Sequence, residues 1–139
     1  MSALQPLNKM GLIKSVIRLT LYLLFFVNVV SCQSQQETTI HKIDKETVMA
    51  EVVGKEVQLV DVRTPGEYNS GHIDDAVNFD LSRQTTFMEQ INTLDKNQPV
   101  YLYCAVGSRS AYAAKILERE GFTKIFDYSG GYMDWVRNQ

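Results

Sequence analysis

One short stretch constrains this chain most: a strand-like run, a tight loop and a helix-like run in immediate succession. Pro99 is followed by Val100-Tyr101-Leu102-Tyr103, a β-branched and aromatic run that predicts a buried strand. Ala111, Ala114, Ile116 and Leu117 then recur at helical spacing up to a stop at Gly121, with Ser108 or Ser110 as candidate caps. Between them lies Cys104-Ala105-Val106-Gly107-Ser108-Arg109. This order places a thiol at the carboxyl end of a strand and the amino end of a helix. Ligands of open α/β sheets bind at such ends, and helix amides there favour an anion.

The flanking sequence alternates in the same way. Asp44 is the predicted cap of a helix through Val48, Met49, Val52 and Val53. Strands are expected over 57–62, 76–79, 100–103 and 124–127, and further helices over 86–94, 109–120 and 132–137. Such alternation implies an α/β fold with a largely parallel sheet covered on both faces.

Cys104 is the candidate for a reactive thiolate. A free cysteine has a pKa near ~8.5, and lowering it to about 7 takes roughly 2 kcal/mol of preferential anion stabilisation. A helix terminus contributes about 0.3–1 kcal/mol, and converging loop amides can supply the rest. Gly107 allows tight curvature, and Arg109 brings a permanent positive charge. The plainer reading, a buried structural cysteine at a strand end, requires neither the glycine nor the arginine.

Four residues separate Cys104 from Arg109, whereas protein tyrosine phosphatases and related dual-specificity phosphatases place five between theirs. The tighter ring suits a terminal sulfur on the thiolate better than a tetrahedral phosphate. The chain resembles the rhodanese family of sulfurtransferases, and in more than the loop. Asp61-Val62-Arg63, Glu67-Tyr68, Gly71-His72-Ile73, Ala76 and Asn78 are similar to the signature of the rhodanese amino-terminal half. Gly130-Gly131-Tyr132-Met133-Asp134-Trp135 is similar to the closing Gly-Gly-x-x-x-Trp of that family. Two positions depart from the pattern. Ala105 stands where many members carry Arg or Lys, which weakens capture of a dianion such as thiosulfate, and Asp75 stands in a turn where the family often has Gly.

The resemblance implies a rhodanese-like three-layer α/β/α sandwich and a sulfurtransferase. In it Cys104 takes a sulfane sulfur from a donor such as thiosulfate or a persulfide and holds it as a persulfide. A thiol, cyanide or protein acceptor then removes it. Ala105, Val106, Gly107, Ser108 and Arg109 are the expected substrate-binding loop. Arg63 is expected either to pair with Glu67 or a neighbouring loop, or to contact substrate as a secondary site residue. His72 follows a glycine in a turn and is expected to bond backbone, since a thiolate attacking sulfur requires no base. Tyr132 and Trp135 are expected to seal the core or line the pocket. The alternatives are a phosphatase or arsenate reductase, a non-catalytic sulfur-carrying or redox-sensing module, and an interaction domain in which Cys104 is dispensable.

The amino terminus is of another kind. Lys9, Lys14 and Arg18 precede an apolar run from Leu19 to Val30, with no acidic residue before Glu37. That is the layout of a secretory signal, and the run is short of the ~20 residues a membrane span takes. It ends Val29-Val30-Ser31-Cys32, which resembles a bacterial lipobox, so Cys32 is the expected lipidation site; an ordinary signal or uncleaved anchor with an incidental cysteine is the other reading. The expected organisation is a lipoprotein-type signal peptide over 1–31, a lipid-anchored polar tether over 32–39 and a rhodanese-like domain over 40–139, facing the periplasm or exterior of a bacterial envelope. With two cysteines in the chain, lipidation of Cys32 leaves Cys104 without a disulfide partner. The formal net charge of −2 gives no basic face for nucleic acid, and two histidines with one available cysteine do not make a zinc site. No cofactor is implied.

Overall fold

A computed structural model of the chain describes residues 13–15, 17–19 and 39–137. The chain divides into two units, Met1–Gln35 and Gln36–Gln139. In the first, residues 13–15 and 17–19 are helical, with Ile13, Ile17 and Leu19 exposed. Cys32 and the apolar run beyond Leu19, on which the signal and lipidation expectations rest, lie outside the described residues. Among the described residues no helix is long and apolar enough to cross a membrane.

The second unit alternates strand and helix: β1 (Thr39–Ile43), α1 (Lys45–Glu51), β2 (Gln58–Asp61), α2 (Pro65–Asn69), β3 (Val77–Asn78), α3 (Gln84–Ile91), β4 (Val100–Tyr103), α4 (Ser108–Arg119), β5 (Lys124–Tyr128) and α5 (Gly131–Arg137). The strands form one sheet in the order β1-β5-β4-β2-β3, and every pairing is parallel.

β4 is buried along its whole length, and its pleat sorts the core into two layers. Val100, Leu102 and Cys104 point to the cluster with Phe87 and Ile91 of α3 and Ala113, Ala114 and Leu117 of α4. Tyr101 and Tyr103 point to the opposite cluster with Val48 and Val52, against which Tyr132 and Trp135 of α5 pack. A strand covered on both faces is what its unbroken apolar run implies. From β2 the chain steps outward to β3, returns to β4 and moves the other way to β5. The order therefore reverses between β2 and β4, and the crevice outside their carboxyl ends is where such sheets bind ligands.

Two elements differ from expectation. β1 begins inside the predicted tether, at Thr39, and pairs along its length with β5 from Thr39↔Lys124 to Ile43↔Tyr128. Only Ile40 and Ile43 are apolar in it, so no alternation marks this edge strand. α2 occupies a stretch for which the sequence predicts no element. It opens with a capping box in which the Glu67 amide donates to Thr64 Oγ1 at 3.4 Å and the Thr64 amide donates to Glu67 Oε2 at 3.0 Å, with Pro65 in its first turn.

Candidate active site

Cys104 is the first residue beyond β4 and is fully buried. Neither Ser108 nor Ser110 caps α4. Its N-cap is Gly107, with φ 88° and no side-chain cap, so the first-turn amides stay available to the thiol. The Gly107 amide donates to Cys104 Sγ at 3.1 Å. Burial by itself pushes the thiol pKa up. The Ser110 and Val106 amides, the Ser110 hydroxyl and the Arg109 amide oppose this, and the net effect holds it below the ordinary thiol value. Of the loop residues, Gly107, Arg109 and Val106 act on the sulfur through their amides, and the Val106 side chain remains 64% exposed.

The loop is fixed from below by α5. The Tyr132 amide donates to the Cys104 carbonyl at 2.8 Å, and the Met133 amide to the Ala105 carbonyl at 3.0 Å. These first-turn donors of a helix have no partner within it, and here they set the Cys104 backbone. Gly131 permits that approach. Its φ is 65°, and a Cβ there would lie 2.5 Å from the Cys104 carbonyl oxygen and 2.7 Å from the Ala105 carbonyl carbon. Gly107 is equally constrained, because a Cβ would run into the Ser129 carbonyl.

Arg109 and Arg63 occupy different surroundings. Arg109 grips Glu67 with both arms, Nη2 donating to Oε1 at 2.6 Å and Nη1 to Oε2 at 2.8 Å. That bond is the main reason the Glu67 carboxyl falls to about 2, with the Thr64 bonds adding to it. Arg63 does not pair with Glu67. It is 3% exposed, its Nε and Nη2 donate to Asp61 Oδ2 at 2.9 and 2.6 Å, and Nη2 also donates to the Gly71 carbonyl at 2.7 Å. Its guanidinium lies 4.1 Å from the Tyr132 ring centroid. Asp61 is two residues away and already in place at the end of β2, which is why it outcompetes Glu67. Arg63 thus ties β2 to the Gly71 turn and to α5. His72 Nδ1 lies 3.3 Å from the Tyr68 carbonyl and its ring stacks on Tyr68, as a backbone-bonding residue should. Tyr132 and Trp135 pack on the core.

Three residues of the site were not singled out from sequence. The sequence offers Glu67 only as a motif residue and a candidate partner of Arg63, although Thr64-x-x-Glu67 marks a helix start. Ser110 is fully buried and donates to the Gly107 carbonyl at 3.1 Å. Asp127, in β5, is 1% exposed with Oδ1 unbonded. Burial pushes its carboxyl up, partly offset by Ser110 and Lys42. No short motif announces a lone polar residue inside an apolar strand. Among the described residues no cluster of His, Cys, Asp and Glu could hold a metal ion.

A buried, amide-solvated thiol at the reversal point of a parallel sheet is equipped for nucleophilic attack. The family model for the rhodanese-like domain matches residues 44–138. The chain belongs to the rhodanese-like domain family. It is similar to a sulfurtransferase of Allochromatium vinosum, 32% identical over 71% of this chain and 91% of that protein. It is also similar to the thiosulfate sulfurtransferase GlpE of Shewanella oneidensis, 35% identical over 58% of this chain and 77% of that protein. Among solved structures, a rhodanese-like domain protein from Staphylococcus aureus superposes with a TM-score of 0.62 at 30% identity, covering 70% of this chain and 93% of that one. The all-parallel five-stranded sheet with helices on both faces is the rhodanese-like fold that the resemblance implied.

Proposed function

We propose that the protein is a sulfurtransferase that passes a sulfane sulfur from a donor to a thiophilic acceptor through a persulfide on Cys104. The observation that carries this reading is the fully buried Cys104 thiol at the carboxyl end of β4, with the Gly107 amide donating to its sulfur at 3.1 Å and its loop held by α5. With thiosulfate as donor, the thiolate bonds to the outer sulfur, the sulfur–sulfur bond breaks and sulfite leaves with its electron pair. The new terminal sulfur is then held by the Val106, Gly107, Ser108 and Arg109 amides, of which those of Val106, Gly107 and Arg109 already bond the thiol. A thiol, cyanide or protein thiol attacks that sulfur and restores Cys104. Donor and acceptor never meet, so the kinetics are ping-pong. A moderate lowering of the thiol pKa is the useful one, because thiolate fraction rises while nucleophilicity falls.

Steady-state rates with thiosulfate or an alkyl persulfide against cyanide should give parallel double-reciprocal lines, and Cys104→Ser should abolish turnover. Intersecting lines, or turnover retained in Cys104→Ser, would contradict the proposal. In the same reading the domain hangs from a bacterial envelope membrane on a lipid carried by Cys32. The basic residues, the apolar run and Ser31-Cys32 support this. Cys32→Ser should move the protein from the membrane fraction to the soluble fraction or leave the signal uncleaved; unchanged processing and fractionation would remove the anchor from the account.

A further inference from the structure

The geometry points to an organic persulfide, rather than thiosulfate, as the sulfur donor of this site. The inference rests on the sulfurtransferase reading and concerns the charge around the crevice. Because all five strands are parallel, the segments that follow them leave from one edge of the sheet, the edge that presents Cys104. The first cation after each of β1, β2, β3 and β4 has a partner. Arg63, after β2, is held by Asp61 at 2.6 Å. Arg83, after β3, faces Asp80 at 3.7 Å. Arg109, after β4, is gripped by Glu67. Lys45, after β1, donates to the Trp135 carbonyl at 2.7 Å and lies between Asp44 and Glu46 in the chain. Asp134, after β5, adds a further carboxylate, which accepts from the Tyr128 hydroxyl.

Thiosulfate brings two negative charges and a sulfonate whose oxygens require donors outside the loop. The loop amides and the Arg109 guanidinium serve one anionic sulfur, and the other cations that lead off the strands are taken up by partners of their own, which leaves none for the second charge. Ala105 and 64%-exposed Val106 follow Cys104 in the loop, and 53%-exposed Met133 is tied to that loop by its amide, which donates to the Ala105 carbonyl. A persulfide R–S–SH carries at most one charge, and its organic group suits this apolar rim. Cys104 thiolate bonds to the outer sulfur, the S–S bond breaks, and the inner sulfur leaves as RS⁻ and takes up the outer sulfur's proton. The products are Cys104–S–S⁻ and RSH. One sulfur–sulfur bond forms and one breaks, so no external oxidant or reductant takes part.

The test is the rate of sulfur gain on the full-length chain, by rapid quench and intact mass, with the persulfide of thioglycerol or with thiosulfate. Each rate is normalised to the same donor's rate with a small free thiol. The normalised persulfide rate should exceed the thiosulfate rate by at least about tenfold. Thiosulfate loading should not fall as salt is added, since there is no attraction to screen. Ala105→Arg should raise thiosulfate loading by about tenfold, and added salt should erase that gain. Equal normalised rates, with thiosulfate loading that falls as salt rises, would overturn the donor assignment and leave the sulfurtransferase reading standing. Absence of sulfur gain from both donors would overturn the two together.

Discussion

In the proposed function Cys104 owes its reactivity to what its neighbours can donate, and each donor can be tested separately. Ser110 contributes both its amide and its hydroxyl to lowering the thiol pKa, yet as a residue type it reads from sequence only as a candidate cap. In Ser110→Ala the amide stays and the hydroxyl goes. Alkylation of Cys104 by iodoacetamide at pH 7 should slow by about three- to tenfold, with its pH profile displaced upward. A merely structural serine would leave the midpoint of that profile unmoved. Arg109 acts on the sulfur through its amide, and its guanidinium grips Glu67 while also interacting with the Cys104 sulfur. The sequence made Cys104, Gly107 and Arg109 legible because a thiol, a left-handed turn and a fixed cation are each rare enough to carry meaning. It could not show that Arg109 is already matched, since Glu67 lies far off in the chain and the pairing exists only once β2 and β4 are neighbours.

At the scale of elements, the strand–loop–helix of β4 and α4 was readable because a fully buried strand has an unbroken apolar run and α4 keeps a helical period to Gly121. β1 escaped notice because an edge strand with two isoleucines shows neither pattern, and its order comes from the ladder to β5. The unfilled cap of α4 and the first turn of α5 perform complementary tasks. α4 turns amides toward the sulfur, while α5 turns amides toward the carbonyls of the loop. Gly131→Ala should break the second arrangement, because a left-handed φ and a backbone collision must both be relieved. The variant should lose roughly 1–3 kcal/mol of stability by denaturant unfolding and lose sulfur loading at Cys104 in proportion to the displaced loop. Wild-type stability and wild-type loading in this variant would show that α5 does not hold the loop.

Across the whole molecule, two carboxyls give stability opposite dependences on pH. Glu67 is held at about 2, below its ordinary 4.5. The folded state binds its proton more weakly, so its contribution is fully present above about 4.5 and is lost as pH falls toward 2. Glu67→Gln should be less stable than wild type at neutral pH, and the gap should narrow through that window; a gap constant with pH would contradict the pairing. Asp127 is raised above its ordinary 3.8 by burial, so the folded state favours the protonated form and ionisation costs stability as pH rises above 3.8. Asp127→Asn should therefore gain about 1–3 kcal/mol at pH 7, with the gain fading toward pH 3.8. A loss at pH 7 would mean that the carboxylate has a role the asparagine cannot fill. The sheet that buries Asp127 also brings Cys104, Arg63 and α5 to one crevice, and the proposed persulfide is the chemistry that crevice suits. The most direct test is the intact mass of the full-length chain and of Cys104→Ser after the persulfide of thioglycerol and again after cyanide. The account predicts a gain of one sulfur atom in the wild type, its removal by cyanide, and no gain at this site in the variant. An unmodified Cys104, or the same cyanide-labile sulfur in Cys104→Ser, would contradict it.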